Sequence, residues 1–373
     1  MPFKSFISVQ LLEPTIYVEP ISNSNLVIRG TININLSSTT IVKSISVRFD
    51  GKMKTKNYIS SSASAGGFAQ KRSIAHHCLV LYPVEEQTDT NCPLILKAGL
   101  THYGFEMQVP SKLPETVDCS DVKVNYHVTA VMEYESNSFL RVGRSSTAQS
   151  CAKQDVCIVR LPSGNLFFGS NTCEFIDSRT HTSDWLEYQV LVDKKSIALG
   201  SELPITFRMM PVREEVSVEG VNVQILERRD VFRKSTRTSY AVQSLLTAAT
   251  NETEIPKTAL PELWEGTIRY SILVGKSLVH STLANSDFDI KHTLLVSIVL
   301  SAPGGIAGRM RKRVTFQSKI DLLNEAVGKL GSLKVPTYDS PPPFDDSTFV
   351  YGEYDRKFTD PIAYSDIHNN EHN

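Results

Sequence analysis

An all-β chain of two tandem immunoglobulin-like β-sandwiches followed by a C-terminal tail is the fold class this sequence predicts, on three observations. Apolar residues alternate with period two along most of residues 6–320, as in half-buried strands. Before residue 315 no stretch keeps a helical period over three turns. The strand-like runs are also short and lack the helical crossovers that a parallel sheet requires. The pattern breaks around Arg160–Ser183, with Pro162, Ser163, Gly164 and a polar run from Asn171. This places a first sandwich at 1–165, a linker at 166–183, a second sandwich at 184–320 and a tail at 321–373.

In order, Phe6–Leu12 reads as a strand ended by Pro14, and Thr15–Val18 as a short second one. Leu26–Leu36 alternates through Leu26, Ile28, Ile32, Ile34 and Leu36, with Gly30 at a bulge. Ile45–Phe49 follows, and Asp50-Gly51 is a turn signal. Tyr58–Ser73 is rich in Ser, Ala and Gly, which predicts a flexible loop or an insertion, and Ile74–Tyr82 resumes a strand. Gly99–Pro110, Val122–Glu133 and Val156–Val159 complete the first half. The second half predicts strands at Glu187–Val192, Leu203–Met209, Val216–Leu226, Tyr240–Thr247, Trp264–Val274, Asp289–Leu300 and Val314–Ile320. Seven short strands at that spacing suit a sandwich. Asp321–Leu330 is amphipathic over one or two helical turns.

Hydrophobic residues make up 41%, enough to fill two cores. The net charge is −1, unevenly placed: residues 335–373 carry eight acidic and two basic side chains. A mildly basic body with an acidic tail does not fit a nucleic-acid binder, for which domain-wide basicity is expected. Cysteines 78, 92, 119, 151, 157 and 173 form no C-x-x-C pair, and the first residues hold no signal-peptide apolar core. The longest apolar run, about Leu294–Ala302, is too short to span a bilayer. These features predict reduced thiols and a cytoplasmic protein.

Val335–Asp346 stands apart. Pro341, Pro342 and Pro343 donate no backbone hydrogen bond and hold φ near the polyproline II value, so neither sheet nor helix runs through them. Pro336-Thr337-Tyr338 has the P-x-Y spacing that WW domains read, the proline ring in one aromatic groove and the tyrosine in the next.

Particular phrases then carry a family resemblance. Leu96-Lys97-Ala98-Gly99-Leu100-Thr101-His102-Tyr103-Gly104-Phe105-Glu106-Met107-Gln108-Val109-Pro110 with Leu113-Pro114 resembles a phrase of arrestin N-terminal domains, with Gly104 where the family has its second proline. Val124–Ala130 is similar to the family's I-x-Y-x-V-x-A strand. Leu199–Ile205 resembles the opening of arrestin C-terminal domains, and Phe288–Val296 their I-x-V-x-H-x-L-x-V strand. With a P-x-Y segment behind the second sandwich, the chain resembles the α-arrestins, or arrestin-related trafficking adaptors, of fungal type. The resemblance implies an arrestin-like fold and an adaptor. Such an adaptor brings a WW-containing HECT-type ubiquitin ligase to plasma-membrane transporters or receptors, which are ubiquitinated and endocytosed. A ligase-independent sorting scaffold, similar to the retromer's arrestin-fold component, is the alternative.

On that reading Val335, Pro336, Thr337 and Tyr338 bind a WW domain, Val335 standing where the family has Leu or Pro. Pro341, Pro342 and Phe344 resemble a second motif whose Phe lacks the tyrosine hydroxyl, a loss of about 1 kcal/mol. Two basic clusters are candidates for acidic cargo tails or anionic membrane lipid: Arg309, Arg311, Lys312 and Arg313 after the Pro303-Gly304-Gly305 turn signal, and Arg228, Arg229 and Arg233 with Lys234 and Arg237. No H-E-x-x-H, G-x-S-x-G or phosphate-loop pattern is present, so no catalytic residue is assigned. No cofactor or metal is expected, because His76, His77 and Cys78 lack a second ligand pair at zinc spacing. His292, in an apolar strand, is expected to be a hydrogen-bonded core residue.

Overall fold

The computed structural model describes residues 6–19, 25–57, 68–83, 94–136, 146–162, 174–233, 236–249, 255–256, 259–275, 277–283, 285–304 and 308–330. The first sandwich is built from β1 (Phe6–Leu11), β2 (Thr15–Val18), β3 (Leu26–Leu36), β4 (Thr40–Asn57) and β5 (Phe68–Tyr82). It continues with β6 (Leu94–Leu96), β7 (Gly99–Val109), β8 (Val117–Asp118), β9 (Val122–Ser136) and β10 (Ser146–Arg160). The second holds β11 (Ile176–Asp177), β12 (His181–Thr182), β13 (Leu186–Val192), β14 (Ser196–Ala198), β15 (Glu202–Pro211) and β16 (Ser217–Arg233). There follow β17 (Thr236–Leu245), β18 (Thr247–Ala248), β19 (Trp264–Ser271), β20 (Phe288–Gly304), β21 (Gly308–Leu323) and the short helix α1 (Glu325–Leu330).

In each sandwich a smaller sheet faces a larger or comparable one. The first packs β1-β3-β7 against β2-β10-β9-β4-β5, with β6 and β8 at the side. The second packs β11-β13-β15-β19-β18 against β14-β21-β20-β16-β17. Nearly all pairing is antiparallel; the exceptions match one another, with β2 parallel to β10 and β14 parallel to β21. Alternation does the rest. In β13, Leu186, Tyr188, Val190 and Val192 face inward, and the residues between them are half-buried. The two cores are rich in Ile, Val, Leu and Phe, and most of their members are almost wholly excluded from water.

Three local expectations are corrected. Asp50-Gly51 is not a turn but lies inside β4, where a register shift follows Gly51. Glycine is needed there because a Cβ would stand 2.6 Å from Cε1 of Tyr126, whose ring stacks on Phe49. Gly30 marks no bulge: its pairings with β1 and β7 run without interruption. A Cβ would instead meet the Gln10 carbonyl at 2.6 Å and the Phe105 ring at 2.7 Å. The loop expected over 58–73 ends early, since β5 begins at Phe68 and pairs with the end of β4. Within the stretch expected as linker, β11 and β12 both pair with β13.

Both sandwiches belong to one compact unit, Met1–Ser332. Val231, Val279, Phe288 and Ile290 from the second half join the apolar core of the first, so the lobes share a hydrophobic contact. The other unit, Leu333–Asn373, lies outside the described residues.

Candidate functional site

Val335, Pro336, Thr337, Tyr338, Pro341, Pro342 and Phe344 lie outside the described residues. The basic clusters do not, and the structure divides them. Period two sends Arg309, Arg311 and Arg313 to the outer face of β21, while Lys312 shares the other face with Val314. Arg309 donates to the hydroxyls of Ser301 at 3.1 Å and Ser217 at 2.6 Å, whereas Arg311 pairs with Glu219 at 2.9 Å. Lys312 pairs with Asp184 at 3.1 Å and sits 6.0 Å from the centre of the Trp185 ring. Glu215, Ser217, Glu219 and Ser301 line a groove with Arg309 and Arg311. Arg313 is exposed and makes no ion pair among the described residues.

The second cluster is not a surface patch. Arg228 is exposed, with its Nε 3.2 Å from Asp230, and Arg237 also binds Asp230. Burial would raise the Asp230 carboxyl, but hydrogen bonds from Arg237, Ser239 and Arg228 bring it down to about 2. The side chain of Arg233 lies outside the described residues. Arg229 is corrected outright: it is 2% exposed and points into the seam between the lobes. The alternation Val223, Ile225, Glu227, Arg229, Val231 carries it inward with its neighbours.

That seam is the polar centre of the molecule. Arg229 donates through Nε to Glu227, and through Nη1 to Asp121 at 3.0 Å and Ser120 at 2.9 Å, both on the segment entering β9. The strap from Ser277 to Leu283, between β19 and β20, threads past it. Its Val279 N–H donates to Glu227 at 2.8 Å, and its Ser281 hydroxyl accepts from the Leu322 N–H at 2.9 Å. His292 bridges the two, 2.8 Å from Ser281 Oγ through Nδ1 and 3.0 Å from Glu227 through Nε2. A neutral imidazole protonated on Nε2 satisfies both contacts, with Ser281 donating to Nδ1. His292 is thus the hydrogen-bonded core residue its strand suggested. Burial pushes Glu227 up, but His292, the Val279 N–H and Arg229 outweigh it and hold its carboxyl below the usual range.

Arg160, at the end of β10, supplies the second link. It grips Asp321 of β21 with two hydrogen bonds, Nη2 at 2.7 Å and Nη1 at 3.1 Å, and its Nε lies 3.2 Å from Glu115. Glu115 in turn accepts from the Leu283 N–H at 3.2 Å. Arg160 and Glu115 are 7% and 6% exposed as side chains, and Asp321 28%. Burial raises the Glu115 carboxyl, against the pull of the Leu283 N–H and Arg160. His280 beside them has no hydrogen-bond partner on Nε2 among the described residues, and burial together with Arg160 lowers it to about 4. Arg72 of β5 closes the periphery on Asp287 at 2.6 Å. Two arginines therefore hold carboxylates from both lobes in a largely buried seam that reaches solvent at Asp321, and Coulomb attraction is stronger in such a seam than in water.

The seam residues carry no local motif. Only the continued alternation along β16 and a lone arginine after the apolar run 156–159 signal them in the sequence.

Comparisons with known proteins agree with this architecture. The family described as arrestin (or S-antigen), N-terminal domain, matches residues 19–153. Two proteins of Schizosaccharomyces pombe named as arrestin-related trafficking adapters are each 22% identical to the chain. One aligns over 271 residues, 64% of this chain and 51% of its own length, the other over 262 residues, 61% and 38%. The chain is thus similar to arrestin-related proteins of this fission yeast. An arrestin domain-containing protein of the same yeast is also 22% identical, over 298 residues, 76% of this chain and 45% of its own. The chain thus spans about half the length, or less, of these relatives. The all-β tandem sandwiches are the arrestin-like fold. Among the described residues no group of three His, Cys, Asp or Glu is placed to hold a metal, and no helix is long and apolar enough to cross a membrane. Cys78, Cys119, Cys151 and Cys157 are free thiols.

Proposed function

We propose that the chain is a non-enzymatic trafficking adaptor. It recruits a WW-containing HECT-type ubiquitin ligase to plasma-membrane transporters or receptors and so promotes their ubiquitination and endocytosis. The relatives named as trafficking adapters support the adaptor role. The ligase step rests on one observation, the Val335-Pro336-Thr337-Tyr338 segment placed after a double sandwich. A proline-rich ribbon enters an aromatic groove at low entropic cost, because its backbone is already near the bound conformation. Pro341, Pro342 and Phe344 offer a second, weaker contact, and a tandem WW module engaging both gains avidity through linkage.

The body's share is to hold cargo. Arg309, Arg311 and Arg313 on the outer face of β21 are the proposed contacts for acidic cargo segments or anionic lipid headgroups, with Arg228 as a peripheral addition. The protein acts in the cytoplasm and is drawn to the plasma membrane and endosomes by its cargo. Ubiquitin transfer belongs to the partner; the chain supplies proximity.

Tyr338→Ala in the full chain tests the ligase step. Co-precipitation of a WW-containing ligase should fall to background while the thermal unfolding of the body is unchanged. Wild-type recovery of ligase with this variant would sink the proposal.

A further inference from the structure

The groove beside Arg309 lies at the far end of β21 from Asp321, and three segments wall it. The turn 212–216 brings Glu215, the start of β16 brings Ser217 and Glu219, and the hairpin of β20 and β21 brings Ser301, Arg309 and Arg311. Hydrogen bonds pin these walls together. Arg213 donates to the Pro303 carbonyl at 3.0 Å, which ties the turn to the hairpin. The Leu260 N–H donates to the Val216 carbonyl at 2.9 Å, beside the bridge between Ser217 and Ala259. The groove measures about 640 Å³, within the range of small-molecule sites.

Arg309 and Glu215 both line this space, and neither makes an ion pair among the described residues. Arg309 is fixed in place. Its Nε donates to Ser301 Oγ at 3.1 Å and its Nη2 to Ser217 Oγ at 2.6 Å, both on buried residues. Its Nη1 has no partner among the described residues. The two hydroxyls thus hold the guanidinium away from Glu215. Glu215 has φ 56°, in the left-handed region that side chains other than asparagine and aspartate seldom adopt. Backbone strain of this kind collects at functional sites. Arg311 and Glu219 pair at 2.9 Å, but they are 75% and 30% exposed, so water screens them and a ligand can compete.

We propose that this groove binds a free α-amino acid. The ligand's carboxylate accepts from the open Nη1 of Arg309 and from Arg311, and its ammonium donates to Glu215 and Glu219. A guanidinium already anchored through its other nitrogens is a preorganised donor for a carboxylate. A bare anion would meet the two glutamates, and a bare cation the two arginines. A ligand carrying both charges is matched by all four. The apolar lining is only Val218 and Ala259, which offers little to a hydrophobic ligand. Arg313 and Arg228 take no part in the groove. Where β21 contacts cargo as proposed above, a bound amino acid withdraws Arg309 and Arg311 from that contact; the site itself does not rest on that reading.

The full chain is titrated by calorimetry with glycine, alanine, leucine, glutamine, glutamate and lysine. The tightest binder is then repeated as its N-acetyl and its carboxamide derivative. At least one amino acid should bind saturably with a Kd below about 1 mM. Each derivative should bind about tenfold more weakly or worse, the loss of one charge-assisted hydrogen bond, and so should the free amino acid with Arg309→Gln or Glu215→Gln. Arg313→Gln should bind as wild type does. Glu215→Gly removes the carboxylate and suits the left-handed backbone, so it should lose binding with a thermal melt no lower than wild type. That pairing separates a lost site from a lost fold. Unchanged or tighter binding by Glu215→Gln would overturn the proposal, because an acidic peptide or a phosphate headgroup gains when a nearby carboxylate is removed. An N-acetyl derivative that binds as well as the free amino acid would overturn it too. So would a wild-type chain that none of these amino acids saturates below about 10 mM.

Discussion

Replacing Arg160 with methionine keeps most of the side chain's length and removes its charge, leaving Glu115 and Asp321 without the cation between them. Glu115 is 6% exposed as a side chain, so water cannot substitute. Breaking a buried pair in this way costs about 3–5 kcal/mol, mostly the penalty of a stranded charge. At roughly 2–4 °C per kcal/mol for large domains, thermal unfolding should drop by about 10 °C. The loss depends on pH, and its sign follows from Glu115. Burial raises the folded-state pKa of Glu115 above the unfolded value, so the native state binds that proton more tightly. Stability from this group is therefore gained as pH falls through the raised folded value and is forfeited above it. Arg160 opposes the rise, so its removal enlarges it, and the deficit of Arg160→Met should be smaller at pH 5 than at pH 8. Urea unfolding of wild type, Arg160→Met, Asp321→Asn and the double variant at both pH values measures the deficit and the coupling. A deficit under about 1 kcal/mol, the level of an exposed pair, would refute the buried seam. So would a deficit equal at the two pH values.

Other expectations follow from single contacts. Asp230 titrates at about 2 in the folded protein, so its contribution is complete above the ordinary aspartate range and is lost as pH falls towards 2. Asp230→Asn should remove about 2 kcal/mol at pH 7 and flatten the acid-unfolding profile between pH 4 and 2, read by circular dichroism. Gly51→Ala drives a methyl group into Tyr126 and should cost about 1–3 kcal/mol. Gly104→Ala has open space around its new methyl and should be neutral in the same thermal melt. Phe344→Tyr restores the missing hydroxyl and should tighten binding to a tandem WW module about fivefold by calorimetry.

Much of the fold was legible because it rests on alternation. Leu26–Leu36 appears with the bounds its sequence suggests, and the β16, β20 and β21 cores were found, though each strand runs beyond its apolar centre. The extensions were hidden because their residues are polar: β5 starts in a Ser, Ala and Gly-rich stretch whose strand character comes from pairing with β4. Gly30 and Gly51 misled for one reason. Their small size answers a ring packed against them from a distant strand, Phe105 and Tyr126, and no local pattern records that. The basic clusters were visible as composition, but whether a given arginine is exposed depends on phase along the strand. Arg228 and Arg229 are neighbours in sequence and face opposite sides of one sheet, so only one reaches solvent. The seam was the least legible part, since Glu115, Asp121, Arg160, Glu227 and Asp321 come from five separate places and meet only when the lobes do.

The most direct test of the adaptor function is a comparison of ubiquitin-remnant peptides on membrane proteins, between cells whose copy of this chain is wild type and cells carrying Tyr338→Ala. A defined set of plasma-membrane transporters or receptors should lose its remnants and persist at the surface in the variant. Identical remnant profiles in the two, with the chain expressed equally, would contradict the adaptor function proposed for it.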